Sequence, residues 1–413
     1  MNSIFYDSDQ LNTKNGLGRK RKSANLENMT KQTNIFKTIS DLSDKLPSLT
    51  KRIAAGAPTQ PKGIAGFDGF IDTFIRLEQP STMAELGPKI AAAAGIAASY
   101  PALHNGDKFG GNGPLLASAL HGLHEGKIDL TYIGAMGRDA ILPIFKEALE
   151  SKTSRMYSLA DPAHSDCLEF DDGKVMLCDM RSCSEITWER LLMTVGPDDL
   201  DALLRQSDFI GAVNWGKLPH VGDVWKNIAA RLGELGIEKK KLPFFMDLAE
   251  FEQRPSEDLD ALLEDLPGIT EQCHTILSFN LKEAWQMGAY FGGDYSGQKS
   301  PESVAELAAF LRERIEADRI VIHPNDGAAC ASADGTVYVP GPVVKTPLIS
   351  TGAGDNFGAG CLTARLLGLD DLGMLLCGVC SSGYFVRTGQ TPSLTQICSL
   401  IELWQSGDLP ERL

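Results

Sequence analysis

Leu348-Ile-Ser-Thr-Gly-Ala-Gly-Asp-Asn-Phe-Gly-Ala-Gly360 is a run of small residues with one carboxylate at its middle. A β-rich stretch, TVYVPGPVVKTPLIS, leads into it, and a helical one, CLTARLLGL, follows. Gly352, Ala353 and Gly354 carry almost no side chain, and Thr351 stands at their entrance. Their backbone N–H groups can converge on an anion at a helix N-terminus, where orphan donors and the helix dipole both favour negative charge. A nest of this kind suits a phosphoryl group in flight, because it stabilises charge as it develops. Asp355 follows at once. A carboxylate is repelled by phosphate oxygens, so its use there is as a general base that takes the proton of an attacking hydroxyl. Taken alone, the same spelling also serves a tight turn with Asp355 as a helix N-cap.

Working outward, apolar runs and amphipathic runs alternate. DFIGAVNW precedes VWKNIAARLGELG, LPFFMDLA precedes LDALLEDL, TILSFN precedes LKEAWQMGAYF, and PESVAELAAFLRERIEA precedes RIVIHP. Such alternation implies β-α units, a mostly parallel sheet and helices on both of its faces. Segments near 73–82 and 165–185 break the rhythm. Asp172-Gly173 between two strand-like runs signals a hairpin, and these pieces are expected to form a small β lid over the mouth of the sheet. Residues 35–53 read as an amphipathic helix with Ile35, Ile39, Leu42 and Leu46 on one stripe, and Pro58 and Pro61 break the chain after it. The expected organisation is a flexible tail over 1–34, a helix and linker over 35–61, and one α/β domain over 62–413. Met29 is a candidate alternative start, and the basic run Arg19–Lys22 belongs to the tail.

Three pieces upstream bear on the chemistry. Asn280-Leu-Lys-Glu283 follows the apolar strand TILSF, and residues three apart on a first helical turn share a face. Together they can hold water-coordinated Mg²⁺, or they can form a capping box. Phe109-Gly-Gly-Asn-Gly-Pro-Leu-Leu-Ala117 opens a helix, and Gly110 and Gly111 let backbone approach a ligand closely. Gly66-Phe-Asp-Gly-Phe-Ile-Asp72 ends a strand with two carboxylates suited to polyol hydroxyls, Asp68 and Asp72, of which Asp72 is the stronger candidate.

The 348–360 run, with these pieces in order before it, resembles the ribokinase (PfkB) carbohydrate kinases from about residue 62 to about 400. The resemblance implies a Rossmann-like three-layer α/β/α sandwich with a β lid, ATP and Mg²⁺ as co-reactants, a sugar-like acceptor and a homodimer joined through the lid. It places Asn280 and Glu283 in the N-x-x-E motif that positions magnesium and phosphate, and Gly110, Gly111 and Asn112 in the sugar-binding turn. Two positions depart from the pattern. Leu115 stands where relatives have a sugar-contacting Asn. Ser350 stands where they have an Asp that helps hold a monovalent cation, which puts potassium dependence in doubt. The 66–72 spacing also resembles ADP-dependent sugar kinases, and nucleoside acceptors or a non-catalytic sensor on the same fold are the other readings.

The bulk numbers limit the alternatives. A formal net charge of -15 repels nucleic acid and anionic lipid. No apolar run approaches the roughly 20 residues needed to span a bilayer. Nine scattered cysteines are too few for a disulfide scaffold and point to a reducing cytoplasm. The pair Cys377 and Cys380 sits in an apolar helix and is expected to be packed thiols. His121 and His124 lack a third ligand, so no protein-only metal site is expected. Gly134–Asp139 reads as a turn, Arg181 as a surface charge, and Asn214 and Asp247 as strand ends on the ligand side of the sheet.

Overall fold

A computed structural model describes residues 32–413. The chain enters it as strand β1 (Thr33–Ile35), not as the helix expected over 35–53. Thr38 and Asp41 form a capping box around a single 3₁₀ turn, Ile39–Leu42, and the α-helix begins only at Leu46, with a proline in its first turn. The apolar stripe was nonetheless a burial signal, since Ile39, Leu42, Leu46, Leu49 and Ile53 are all buried. Met29, the basic run and the expected tail up to residue 31 lie outside the described residues; Thr33 and Asn34, at the end of the expected tail, belong to β1.

The remaining strands in chain order are β2 (Lys62–Gly66), β3 (Phe70–Leu77), β4 (Ala102–Gly110), β5 (Asp129–Ala135), β6 (Arg155–Ala160), β7 (Ala163–Phe170) and β8 (Gly173–Asp179). They continue with β9 (Phe209–Val213), β10 (Pro243–Asp247), β11 (His274–Asn280), β12 (Arg319–His323), β13 (Gly327–Ser332) and β14 (Gly335–Pro340). Ten of them form one sheet in the order β1-β14-β13-β12-β11-β10-β9-β2-β5-β6. From β12 to β6 every neighbouring pair is parallel, and β12-β13-β14 is an antiparallel meander. Strands covered on both faces need apolar residues at successive positions. Phe244 and Phe245 in β10, like Ile64 and Ala65 in β2, duly belong to two separate buried clusters, one on each side of the sheet. Helices over both clusters complete the α/β/α sandwich.

A second sheet, in the order β4-β3-β7-β8, stands off the first. It takes β3 from the segment expected near 73–82 and β7 and β8 from that near 165–185, whose last residues, Arg181–Glu185, form a 3₁₀ helix instead; it also contains β4, whose residues ALHNGDKFG gave no strand signal. The alanine-rich run after β3 is helical only over Met83–Ala92, and Gly95 lies beyond it at φ +83°. No helix among the described residues is long and apolar enough to cross a membrane.

Candidate active site

Five adjacent parallel strands present polar residues at their C-terminal ends. Asp68 follows β2, Asn214 follows β9, Asp247 ends β10, Asn280 ends β11 and His323 ends β12. From β2 the chain builds the parallel part of the sheet outward in both directions, to β5 and β6 on one side and to β9–β12 on the other, so the order reverses there, and the crevice at such a switch point is where open α/β sheets bind ligands. Asp68 and Asn214 face each other across it, joined by a hydrogen bond from Asn214 Nδ2 to Asp68 Oδ2. Asn214 adopts the left-handed conformation (φ 66°), which asparagine tolerates, and its Oδ1 is buried without a partner.

The small-residue run closes the crevice from one side. Gly352 has φ +92° and turns the chain into the helix Ala353–Leu366, whose first turn contains Asp355. Asn356 holds the turn: its Nδ2 donates to Gly352 O at 3.0 Å, and its Oδ1 accepts from Thr391 at 2.8 Å. The later glycines of the run serve packing. A Cβ on Gly358 would sit 2.7 Å from the Phe245 ring, and one on Gly360 would sit 2.6 Å from Cys377 O on the neighbouring helix, Asp371–Thr388.

Two clefts meet at this point. One, of about 600 Å³, lies beneath the second sheet and is lined by Asp72, Gly111, Asn112, Leu115, Asn214, Lys217, Asp247, Thr351, Gly352 and Asp355. The other, of about 520 Å³, is lined by Pro324, Asn325, Lys345, Ser350, Ala353, Phe357 and Gly383. Asn280, His323 and Gly354 line both. A molecule in each cleft would therefore meet the other at Gly354, with Asp355 on the lid side.

The site holds more negative charge than it neutralises. Burial pushes Asp68 up to about 6, although Asn214, Gly113 and Asn112 all donate to it. Burial likewise raises Asp247 to about 6. Glu283 rises to about 8, first through burial and then through the Asp247 charge. Asp355 is held well above the ordinary carboxylate range by burial, then by Asp247 and Asp68. Burial pushes His323 down to about 4, so its imidazole is neutral as it stacks on Phe357 at 4.6 Å. Clustered carboxylates with raised pKa values are the setting in which a hard cation bound through oxygen and water is favoured. Among the described residues no three His, Cys, Asp or Glu side chains lie close enough to hold a metal by themselves. Asn280 and Glu283 form a reciprocal capping box, with Asn280 Oδ1 accepting from Glu283 N at 3.0 Å and Glu283 Oε2 accepting from Asn280 N at 2.9 Å. A cation at this pair would be met through water.

The remaining expected residues divide by position. Asp68 is wholly buried and accepts from Asn112 N (2.9 Å) and Gly113 N (2.7 Å) at the start of the helix Asn112–Leu123. Asp72 lines the cleft itself. Gly110 packs against the Asp72 carboxylate, and Gly111, at φ +99°, lets Asp68 approach. Arg181 pairs with Asp179 and faces solvent. His124 bonds to Thr363 at 3.3 Å, away from the crevice. Arg138, in the 134–139 turn, bonds through its backbone to Asp161 at 2.8 Å. Cys377 and Cys380 are buried free thiols. His323 and Lys217 line the cleft without having been singled out; His323 ends an apolar strand just as Asn214 and Asp247 do, so the same rule would have found it.

Comparison with known proteins agrees with this architecture. The sequence matches the family described as prokaryotic ketohexokinase over residues 50–404. It is 25% identical over 366 residues to a ketohexokinase of Haloferax volcanii, covering 85% of this chain and 92% of that one. The fold is similar to that of Arabidopsis thaliana ribokinase complexed with ribose and ATP (TM-score 0.61, 15% identity, 83% of this chain and 99% of the other). It is also similar to a ribokinase II of E. coli in complex with ATP and Mg²⁺ (TM-score 0.56, 16% identity, 83% and 99%). Switch-point crevice, glycine nest and family match converge: the chain is a ribokinase-like (PfkB) carbohydrate kinase and belongs to the prokaryotic ketohexokinase family.

Proposed function

We propose that the protein transfers the γ-phosphoryl group of ATP to a primary hydroxyl of a ketohexose, with Asp355 as the general base. The observation that carries this is the position of Asp355, half-buried on the lid side of the nest, one residue from the Gly354 shared by both clefts. The sugar occupies the cleft beneath the lid, where Asp72 and the unpartnered Oδ1 of Asn214 can accept its hydroxyls. The nucleotide occupies the other cleft. As the acceptor oxygen bonds to Pγ, its proton passes to Asp355 and the bond from Pγ to the bridging oxygen of ADP breaks. The amides of Gly352, Ala353 and Gly354 hold the equatorial oxygens. Magnesium, when bound, supplies neutralisation of phosphate charge, and Asp247 with Asn280 and Glu283 would hold it, the last two through water.

The test is Asp355→Asn assayed with fructose and either ATP or ADP as donor. Turnover with ATP should fall about 10²–10⁴-fold while ATP still binds. Near-normal turnover by the variant would remove the base, and turnover by the parent with ADP alone would replace the donor.

A further inference from the structure

Strand β8 carries Lys174, Met176 and Cys178 at alternate positions, which puts them on one face. Met176 and Cys178 line the cleft beneath the lid. The register agrees: Cys178 pairs with Ser165, and Ser165 with Asp72, across β8, β7 and β3, and all three line the cleft. Lys174 lies four residues along the same face, opposite Glu169 on β7. Its Nζ donates at 3.4 Å to Oγ1 of Thr351, which lines the cleft. Thr351 immediately precedes the Gly352–Gly354 nest, so this contact brings the ammonium to the residue at the entrance of the nest.

The charge around it gives this contact a meaning. Five carboxylates with raised pKa values lie in or beside the crevice, Asp72 and the enclosed Asp68 among them, and a nucleotide adds more negative charge. Lys217 also lines the cleft, but Glu250 neutralises it at 3.2 Å. Lys174 makes no direct ion pair with a carboxylate among the described residues, although its charge is felt by Asp72 from farther off, and its one hydrogen bond is to the neutral Thr351 hydroxyl. A hydroxyl is a weak partner for an ammonium compared with a phosphoryl oxygen.

We infer that Lys174 is a further catalytic residue, delivered by the lid: with sugar and nucleotide bound, its ammonium moves from Thr351 to an oxygen of the phosphoryl group held at Gly352–Gly354. This rests on the proposed phosphoryl site. Because the cation rides on the sheet that also carries Asp72, it reaches the phosphoryl group only when the lid is down over the acceptor. Closure then both excludes water and completes the charge stabilisation.

The experiment compares Lys174→Met and Lys174→Arg in the full chain. It measures kcat, the KM for fructose, and the affinity for ADP with aluminium fluoride in the presence of fructose. Lys174→Met should lower kcat by about 10²-fold and weaken the aluminium fluoride complex in step, with the fructose KM unchanged; Lys174→Arg should recover most of both. An unchanged kcat, or a raised fructose KM at constant kcat, overturns the inference. If Asp355→Asn is inactive while Lys174→Met is active, only the Lys174 role fails; if Asp355→Asn is active, the phosphoryl site fails with it.

Discussion

Asn112 Nδ2 donates to Asp355 Oδ1 at 3.0 Å, tying the glycine turn after β4 to the helix that carries the proposed base. A bond to the charged form of a carboxylate lowers its pKa, and here it opposes the larger upward push from burial, Asp247 and Asp68. Asp355 must be ionised to take a proton, so its pKa should set the acid limb of kcat/KM. Asn112→Ala removes the opposing bond and should move that limb to higher pH. Asp247→Asn removes a neighbouring negative charge and should move it to lower pH. A pH profile of kcat/KM for the three proteins checks both signs, and shifts in the same direction would count against Asp355 as the titrating group.

Asp68 and Asp72 should separate cleanly. Asp68 is enclosed and takes three donors, from Asn112 N, Gly113 N and Asn214 Nδ2, so it fixes a helix start and the switch-point crevice. In Asp68→Asn an amide NH2 replaces one accepting oxygen and opposes a donor, and a buried donor left unpaired costs about 1–3 kcal/mol. Asp68→Asn should therefore lower the Tm markedly. Asp72 is only partly buried and faces the cleft, so Asp72→Asn should leave the Tm nearly unchanged and raise the sugar KM. Thermal melts beside steady-state kinetics decide this; a Tm loss for Asp72→Asn as large as for Asp68→Asn would refute the division.

Glu283 predicts a pH dependence of stability. Its folded pKa, about 8, lies above the ordinary 4.5, so the native state binds the extra proton. That contribution is fully present below 4.5 and is lost as pH rises through 8. The lowered pKa values of His124 and His323 act in the opposite sense, but only below their ordinary 6.5. From about pH 6.5 to about pH 8.5 the ligand-free protein should thus lose Tm as pH rises, with Asp355 adding to the trend. Glu283→Gln keeps an acceptor for Asn280 N and should flatten the slope. A flat slope in the parent protein would count against the raised value.

The features legible in the sequence were those determined locally. Buried parallel strands such as DFIGAV and LPFFMD are continuously apolar because both faces are covered, and the 348–360 run carries its turn, its anion donors and its carboxylate within a few residues. What escaped depends on distant partners. β1 exists because Thr33–Ile35 pairs with Thr336–Tyr338, three hundred residues on, and nothing in TNI announces that. β4 is almost wholly exposed and pairs with β3 alone, so it has no apolar face to give a period. The helical reading of 35–53 failed for a related reason: from Ile39 onward the buried stripe is real, but it runs through a 3₁₀ turn and an α-helix that share one core, while Ile35 in β1 packs against the cluster on the other side of the sheet.

Gly354 offers a test in which folding and chemistry come apart. Unlike Gly352, it does not require a positive φ. A Cβ built there would meet nothing nearer than His323 Cε1, at 3.7 Å, which is ordinary contact. Gly354→Ala should therefore fold with a Tm close to that of the parent, and alanine's higher helix propensity near the start of the helix Ala353–Leu366 works in its favour. The new methyl would nevertheless stand where the two clefts join, in the space assigned to the phosphoryl oxygens. Turnover should fall by at least about tenfold, because displacement of the reacting group by a fraction of an ångström is costly in a site built on positioning. Full activity at an unchanged Tm would mean that phosphate does not pass this residue, and the nest would have to be sought elsewhere along the strand ends.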